Sequence, residues 1–166
     1  MLCPNCRHDN FEGEDRCANC GADLVEAATP EPSTDYQDTI LAEHLEVLGG
    51  STPLTVAPTL PVEEAIRLMR TTGADCLLVC DGDRLLGIFT ERDAVVKVAG
   101  KRLEAFDVRD FMTQDPIVLR RDDTLAVAIH KMAVAGIRHI PLVDGERPIG
   151  VVAAPDIFRH IVASLG

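Results

Sequence analysis

In the middle of the chain, the spacing of hydrophobic and polar positions alternates between the pattern typical of strands and the pattern typical of helices. Apolar residues recur at helical spacing between positions 62 and 69, and Gly73 fits the end of that helix. The apolar runs CLLVC (76–80) and LLGIF (85–89) predict two strands, which the turn sequence DGDR joins as a hairpin. The short strand PLTV precedes this group, and the helix TERDAVVKVAG follows it. The pattern therefore predicts a β-α-β-β-α unit.

The same unit returns 63 residues later, without a gap over its main body. Residues of the first copy that are identical in the second are Pro53, Ala65, Ile66, Met69, Gly73, Asp81, Gly82, Arg84, Gly87 and Asp93. One such unit leaves a sheet face open, and two units packed sheet to sheet bury a continuous core. The sequence thus predicts an α/β (α+β) fold in which tandem repeats pack as a pseudo-twofold pair.

The chain divides into four segments by composition. Residues 1–24 are rich in cysteine, and residues 25–38 form an acidic linker of Pro, Thr and Ser that we expect to be flexible. The first repeat occupies residues 39–105 and the second occupies residues 106–166, and each begins with an amphipathic lead-in segment.

Composition and charge narrow the functional class. No apolar run approaches the roughly 18 residues of a membrane span, and the sequence MLCPNC lacks the features of a secretory signal, so we expect a cytoplasmic protein. Residues 1–50 carry two basic and eleven acidic side chains, whereas the remainder is nearly neutral. An acidic segment is repelled by phosphate backbones, which makes nucleic acid an unlikely partner.

Four cysteines form two Cys-x-x-Cys pairs in the first segment. Four thiolates at tetrahedral corners complete the shell of a structural zinc ion, and a segment this short gains most of its folding free energy from such a metal. A pair of disulfides is the alternative, and His8 is a competing ligand. The predicted ligands are Cys3, Cys6, Cys17 and Cys20. The pattern resembles the short zinc ribbons of many bacterial and archaeal proteins, and its acidic character favours docking of a protein partner.

The sequence GIFTERD permits two interpretations of Thr90 and Asp93. The threonine hydroxyl and a carboxylate three residues later form a capping box at the start of a helix. The same helix start can bind an anion, with Thr90 donating to a phosphate and Asp93 accepting from ribose hydroxyls. Gly87 permits close approach of a ligand or a neighbouring strand. The sequence alone leaves both interpretations open.

The repeat, the Gly…Thr…Asp step and the segment AGIRHIPLV (135–143) resemble paired cystathionine-β-synthase (CBS) domains, known as a Bateman module. The resemblance implies a regulatory module that dimerises into a disc and binds an adenosine-bearing ligand, such as AMP, ADP, ATP or S-adenosylmethionine, between its repeats. It implies that the family's binding positions fall on Gly87, Thr90, Arg92, Asp93, Arg138, Ile140, Pro141 and Asp156. Adenine would lie between the apolar residues Leu77, Ile88, Ile137 and Ile140.

Two departures from the family pattern make the predicted clefts unequal. Ala153 stands where the family commonly has Thr or Ser, so the cleft of Asp156 lacks one phosphate donor unless Arg138 or Arg159 compensates. Asp75 stands where the second repeat has Arg138, and a carboxylate beside a phosphate is unfavourable. We therefore expect at most one strong site, formed around Thr90 and Asp93.

The sequence contains no Walker loop, no dinucleotide-binding glycine motif and no pairing of His with Ser or Cys that would form a nucleophile and base. The predicted function is a non-enzymatic, homodimeric sensor of an adenine nucleotide that signals to an unidentified protein through its zinc ribbon. The alternative is a ligand-free structural protein that dimerises through its repeats and docks partners through the ribbon.

Overall fold

The computed structural model describes residues 6, 8–10, 15–21, 24, 40–48 and 52–165. Both predicted units are present in it. The elements of the first are β1 (Thr55–Val56), α1 (Val62–Thr72), β2 (Cys76–Asp81), β3 (Arg84–Thr90) and α2, which begins as an α-helical turn (Glu91–Asp93) and continues as a π-helix (Ala94–Val98). Gly73 ends α1 in the left-handed conformation, with φ of 68°, and its N–H bonds the Met69 carbonyl as expected of a C-cap.

A short strand, β4 (Thr113–Gln114), connects the two units and joins the sheet of the first one. Within that sheet β1 runs parallel to β2, whereas β2 with β3 and β3 with β4 are antiparallel. Gly87 lies opposite Gln114 in the last pair. A Cβ atom on Gly87 would lie 2.8 Å from the Thr113 carbonyl oxygen, so glycine is required for this strand to approach.

The second unit repeats the first. Its elements are β5 (Leu119–Arg120), α3 (Leu125–Ala135), β6 (His139–Asp144), β7 (Arg147–Ala153) and α4 (Ala154–Leu165). Strand β5 is parallel to β6, and β6 is antiparallel to β7. Thr124 caps α3 by accepting a hydrogen bond from the Val127 N–H. None of the helices in the described part of the chain is long and apolar enough to cross a bilayer.

Each unit has an aliphatic core, and a third cluster lies where the sheets meet. Phe89 and Leu77 are fully buried in the first core, and Leu119 and Ile140 are fully buried in the second. The cluster between the sheets contains Leu78, Cys80 and Ile88 of the first unit, with Val151 of the second packed against them. The strands are apolar on both faces: one face packs against the helices of its own unit, and the other packs against the second sheet, as predicted.

The two lead-in segments are exchanged between the units. The first contains a 3-10 helix, Leu45–Leu48, and packs on the second unit, where the Leu45 N–H bonds the Asp123 carbonyl at 3.2 Å. The second contains the 3-10 helix Val108–Asp110 and packs on the first unit, where the Val108 N–H bonds the Leu60 carbonyl at 2.8 Å. These two hydrogen bonds are related by the 63-residue offset. The boundary between residues 105 and 106 therefore separates the two repeats in the sequence, whereas each lead-in packs on the repeat to which it does not belong in sequence.

The hairpin tips also meet across the pseudo-twofold axis. The Leu85 N–H donates to the Glu146 carbonyl at 3.0 Å. The ion pairs Arg84–Glu146 and Arg147–Asp83 join equivalent positions in opposite directions. All four side chains are mostly exposed, so these pairs orient the repeats more than they stabilise them.

The exchange predicts that shortening a buried side chain of the first lead-in destabilises the second unit. Leu45 is 2% exposed and packs in the core of the second unit, whereas Val47 of the same 3-10 helix is 46% exposed. We expect Leu45→Ala to lower the free energy of unfolding by about 2–5 kcal/mol, and Val47→Ala by about 0.5 kcal/mol or less. Hydrogen exchange should locate the lost protection in α3 and α4. Loss confined to α1 and α2 would contradict the exchange.

Candidate functional site

A cleft of about 590 Å³ opens between the two units. Its walls come from the start of α2 and the end of β3, from the segment after β4, and from the turn between α3 and β6. The lining residues are Asp75, Ile88, Thr90, Glu91, Arg92, Asp93, Lys97, Thr113, Asp115, Pro116, Ile117, Gly136, Ile137, Arg138, His139 and Pro155. The cleft has the size of a small-molecule site and depends on both repeats.

Thr90 and Asp93 form the capping box that the sequence permits. The Thr90 N–H and hydroxyl both donate to Asp93 Oδ2, at 2.9 and 2.7 Å, and the Asp93 N–H returns a bond of 3.3 Å to Thr90 Oγ1. Asp93 is only 7% exposed, although it lies on the cleft wall. The cap therefore fixes the carboxylate and leaves its second oxygen, Oδ1, to other partners.

Lys97 is the main partner of that second oxygen. Its ammonium lies 2.7 Å from Asp93 Oδ1 and also donates to the Phe111 carbonyl at 2.9 Å and to Thr113 Oγ1 at 3.4 Å. The Thr113 hydroxyl lies 3.5 Å from Asp93 Oδ1. A buried carboxylate needs such a counter-charge, because desolvation otherwise disfavours its ionised form.

Two arginines reach the cleft from opposite repeats. Arg92, on the first turn of α2, donates to the Gly136 carbonyl at 3.4 Å and so bridges the start of α2 to the end of α3. Arg138 is exposed on the segment between α3 and β6. Both side chains are available to a negatively charged ligand group, since neither forms an ion pair within the described part of the chain.

Acidic and apolar groups complete the walls. The Asp75 carboxylate lies 3.7 Å from His139 Nε2, an imidazole nitrogen that is buried and has no hydrogen-bond partner among the described residues. Ile88 of the first repeat and Ile137 of the second are the two predicted adenine contacts that line the cleft, whereas Leu77 and Ile140 are fully buried in the cores. The arrangement provides apolar walls with cations and carboxylates at the edge.

Four predicted ligand residues do not line this cleft. Gly87 is buried against β4, where it admits the neighbouring strand. Ile140 and Pro141 are buried within β6. Asp156 lies in the first turn of α4 and bonds Arg159. Thr90, Arg92, Asp93 and Arg138 are the predicted residues that the fold brings together.

The equivalent positions in the second repeat have different partners. His160 corresponds to Lys97, but its Nε2 lies 2.6 Å from Glu43 of the first lead-in rather than near Asp156. Ala153 corresponds to Thr90 and provides no hydroxyl for a cap. The carboxylate held by a cap and a lysine therefore occurs in the first repeat and not at the matching place in the second.

Sequence reasoning missed Lys97, Thr113 and Asp115. Lys97 follows Asp93 by four residues on one helix, a spacing that places the two side chains on the same face and could have been recognised. Thr113 reaches the site only because β4 pairs with β3, which the sequence does not show. Asp115 has φ of 44°, the one positive value at a non-glycine among the described residues, and it turns the chain into the cleft wall.

The described part of the cysteine-rich segment brings three sulfurs together. The side chains of Cys6, Cys17 and Cys20 offer ligand atoms within 4.8 Å of one another, and the Cys6 and Cys17 sulfurs are 3.5 Å apart. Cys3, the fourth predicted ligand, lies outside the described residues. Three sulfurs at this separation fit a thiolate-bound metal ion with one further ligand.

Hydrogen bonds favour the thiolate form of two of these cysteines. Burial alone would raise the pKa of Cys17, but the backbone N–H groups of Cys20 and Asn19 lower it to about 6. The Asn19 side-chain amide, followed by the backbone at His8, lowers the pKa of Cys6. Thiolates are the form that binds zinc, so the donor set matches the predicted metal.

The two cysteines of β2 have the opposite character. Burial, reinforced by the Asp75 charge, raises the pKa of Cys76 to about 11. Burial and then the Asp83 charge raise the pKa of Cys80. Both thiols are therefore protonated at neutral pH and behave as small apolar side chains of the strand.

Among curated relatives, the inosine-5′-monophosphate dehydrogenase of Korarchaeum cryptofilum is 41% identical over 106 residues, which are 63% of this chain and 21% of the dehydrogenase. The chain thus spans about a fifth of that relative's length.

Solved structures of CBS-domain proteins share the fold. A putative signal-transduction protein with CBS domains from Burkholderia ambifaria is 31% identical, with a TM-score of 0.65, and the match covers 75% of this chain and 92% of that one. The CBS domain pair of protein MJ0100, solved with 5′-methylthioadenosine and S-adenosyl-L-methionine, has a TM-score of 0.66 at 24% identity, with coverage of 72% and 99%. The CBS domain model matches residues 49–100 and 108–163, one stretch in each repeat, and the chain therefore belongs to the CBS-domain family.

Proposed function

We propose that the chain is a non-catalytic regulatory module that binds an adenosine-bearing ligand in the cleft between its repeats. The observation that supports this most is the convergence of Thr90 and Asp93 from the first repeat with Arg138 from the second on one cleft. A carboxylate suits ribose hydroxyls, an arginine suits phosphate, and Ile88 and Ile137 suit the faces of a purine. The related domain pair MJ0100 was solved with adenosine-derived ligands.

The mechanism uses the dependence of the cleft on both repeats. A ligand that contacts Asp93 and Arg138 together favours the relative position of the repeats in which both contacts form, because binding shifts a population by the difference in affinity between states. Arg92 already joins α2 to the end of α3 through the Gly136 carbonyl, so a ligand phosphate that attracts Arg92 would alter that bridge. We propose one strong site per chain, since the second repeat lacks both the Thr90 hydroxyl and the Lys97 ammonium at matching positions.

Isothermal titration with AMP, ADP, ATP and S-adenosylmethionine tests the proposal. We expect saturable binding of at least one ligand with one strong site per chain. Arg138→Ala should weaken binding of a phosphorylated ligand by about ten- to hundredfold, because a hydrogen bond to a charged group contributes roughly 1.5–3 kcal/mol. Arg138 is the better first target than Asp93, since Asp93→Ala also removes a helix cap.

Arg70→Ala is the matched control, because Arg70 is an exposed arginine on α1 that does not line the cleft. Absence of heat with all four ligands would contradict the proposal and favour the second candidate, a ligand-free scaffold. One observation supports that candidate: both oxygens of Asp93 are already bonded within the protein.

We further propose that the cysteine-rich segment is a structural zinc ribbon that docks a protein partner. Cys6, Cys17 and Cys20 would hold the ion together with Cys3, and the bound zinc would supply folding free energy to a segment with little core of its own. Four protein ligands leave no open position for a substrate, which is consistent with a non-catalytic role.

Metal analysis of the purified protein tests the ribbon. We expect about one zinc per chain, lost in Cys20→Ser because a tetrahedral site with three remaining thiolates binds zinc more weakly. Cys76→Ala should retain the metal, since Cys76 lies in β2 away from the cluster. Equal zinc contents in Cys20→Ser and the unaltered protein would overturn the assignment.

We also propose that two chains associate through the helices α2 and α4. Val95 and Phe158 are 70% and 67% exposed, and they occupy equivalent positions of the two repeats. Val96 and Val162 extend the apolar surface on the same helices. A twofold interface uses the same surface of both chains, so an exposed apolar patch of this kind suits a second copy of the chain.

Sedimentation measurements test this association. We expect a dimer for the unaltered chain and a monomer for the double variant Val95→Glu and Phe158→Glu, because two buried charges oppose the interface. Val134→Glu, on the exposed face of α3, should remain dimeric. A chain that is monomeric at all concentrations would refute the proposed interface.

A further inference from the structure

The outer face of α3 differs from that of α1, although the two helices occupy the same place in their repeats. On α1 this face carries Glu63 and Arg67, which are exposed and form an ion pair at 3.0 Å. The matching residues of α3 are Ala126 and His130, and both are partly buried. Helix α3 thus lacks the charged pair that faces water on α1, and a neighbouring part of the chain covers the residues in its place.

The lead-in segments do not account for this difference, because they reach the two helices in the same way. The Val62 N–H at the start of α1 bonds the Phe106 carbonyl at 3.0 Å. The Leu125 N–H at the start of α3 bonds the Glu43 carbonyl at 2.9 Å, and these four residues are related by the 63-residue offset. The additional cover on α3 therefore comes from a part of the chain outside the repeats.

The cysteine-rich segment makes a contact at this place. Asp15 Oδ1 lies 3.5 Å from His130 Nε2, a nitrogen that is buried and has no hydrogen-bond partner among the described residues. A facing carboxylate offsets part of the cost of removing that nitrogen from water. Asp15 is itself held in place, since its carbonyl accepts the N–H of the fully buried Leu24 at 2.8 Å. The carboxylate that faces His130 thus comes from the cysteine-rich segment, whereas the one that faces Arg67 comes from its own helix.

We propose that the outer face of α3 is an intramolecular docking surface for the cysteine-rich segment, held by the contact between Asp15 and His130. Ala126, four residues before His130, is small enough for the segment to approach this face, whereas the longer Glu63 faces water on α1. The last turn of α3 stays open, since Val134 is 40% exposed. The docking surface is therefore confined to the first turns of the helix.

The docking surface lies on the helix that leads into the cleft. Helix α3 ends at Gly136, whose carbonyl accepts the bond from Arg92, and Ile137 and Arg138 continue the cleft wall. A segment docked on α3 is joined to the cleft by one helix, whereas a segment that is only tethered has no fixed relation to it. Docking thus gives the two parts of the proposed module a physical connection.

Nitrogen-15 relaxation of the intact chain, with zinc supplied, tests the docking. A docked segment tumbles with the repeats, whereas a segment that is only tethered tumbles faster. We expect the rotational correlation times of the cysteine-rich segment and of the repeats to have a ratio of about one in the unaltered chain. In His130→Glu, where two carboxylates oppose each other, that ratio should fall by about twofold or more.

Arg67→Glu is the matched control, because it introduces the same acidic residue at the equivalent position of α1, and it should leave the ratio unchanged. Adding Asp15→Lys to His130→Glu restores an opposite-charge pair and should return the ratio to that of the unaltered chain. The zinc content of each sample reports on the proposed metal site separately, so failure of docking and failure of that site are distinguishable. Faster tumbling of the segment in the unaltered chain, equal effects of His130→Glu and Arg67→Glu, or no recovery in the exchanged pair would each overturn the inference.

Discussion

The exchange of lead-in segments is the constraint on which the rest of the structure depends. Each unit would leave part of its core open without the segment that the other unit provides, as the burial of Leu45 in the second core and Val108 in the first shows. The backbone hydrogen bonds from Leu45 to Asp123 and from Val108 to Leu60, which join each lead-in to the other unit, occur at equivalent positions. They hold the two repeats in one relative orientation. The cleft exists because that orientation brings β4 and the start of α2 opposite the turn after α3.

One buried carboxylate, that of Asp93, both caps a helix and lines the cleft. Asp93 caps α2 through one oxygen and contacts Lys97 through the other, so the capping interpretation is confirmed and both oxygens have partners within the protein. The capping bonds hold the carboxylate in one orientation on the cleft wall. The unequal repeats concentrate this chemistry in one cleft, because the matching residues Ala153 and His160 cannot reproduce it.

The sequence was sufficient for the elements that depend on local patterns. Periodicity located both hairpins and the helix that Gly73 ends, and the repeat offset correctly indicated two sheets, although β4 gives the first sheet a fourth strand that the second lacks. Periodicity could not show the exchange of the lead-ins, because the pattern of an amphipathic segment does not indicate which unit its apolar face packs against. The approach of Thr113 to Asp93 arises from the pairing of β4 with β3, so it also lay beyond local reasoning. Asp156 illustrates the limit for the site, since identity along the repeat did not reveal that Arg159 bonds it.

The exchanged lead-ins have a consequence for the origin and assembly of the chain. A single ancestral unit could have closed its core only by borrowing a lead-in from another molecule, as in a domain-swapped pair. Gene duplication and fusion would then turn that intermolecular swap into a covalent one and let the halves diverge. During synthesis the core of the first unit is complete only after the second lead-in, up to Met112, has left the ribosome, whereas the first lead-in must wait for the second unit before it is buried.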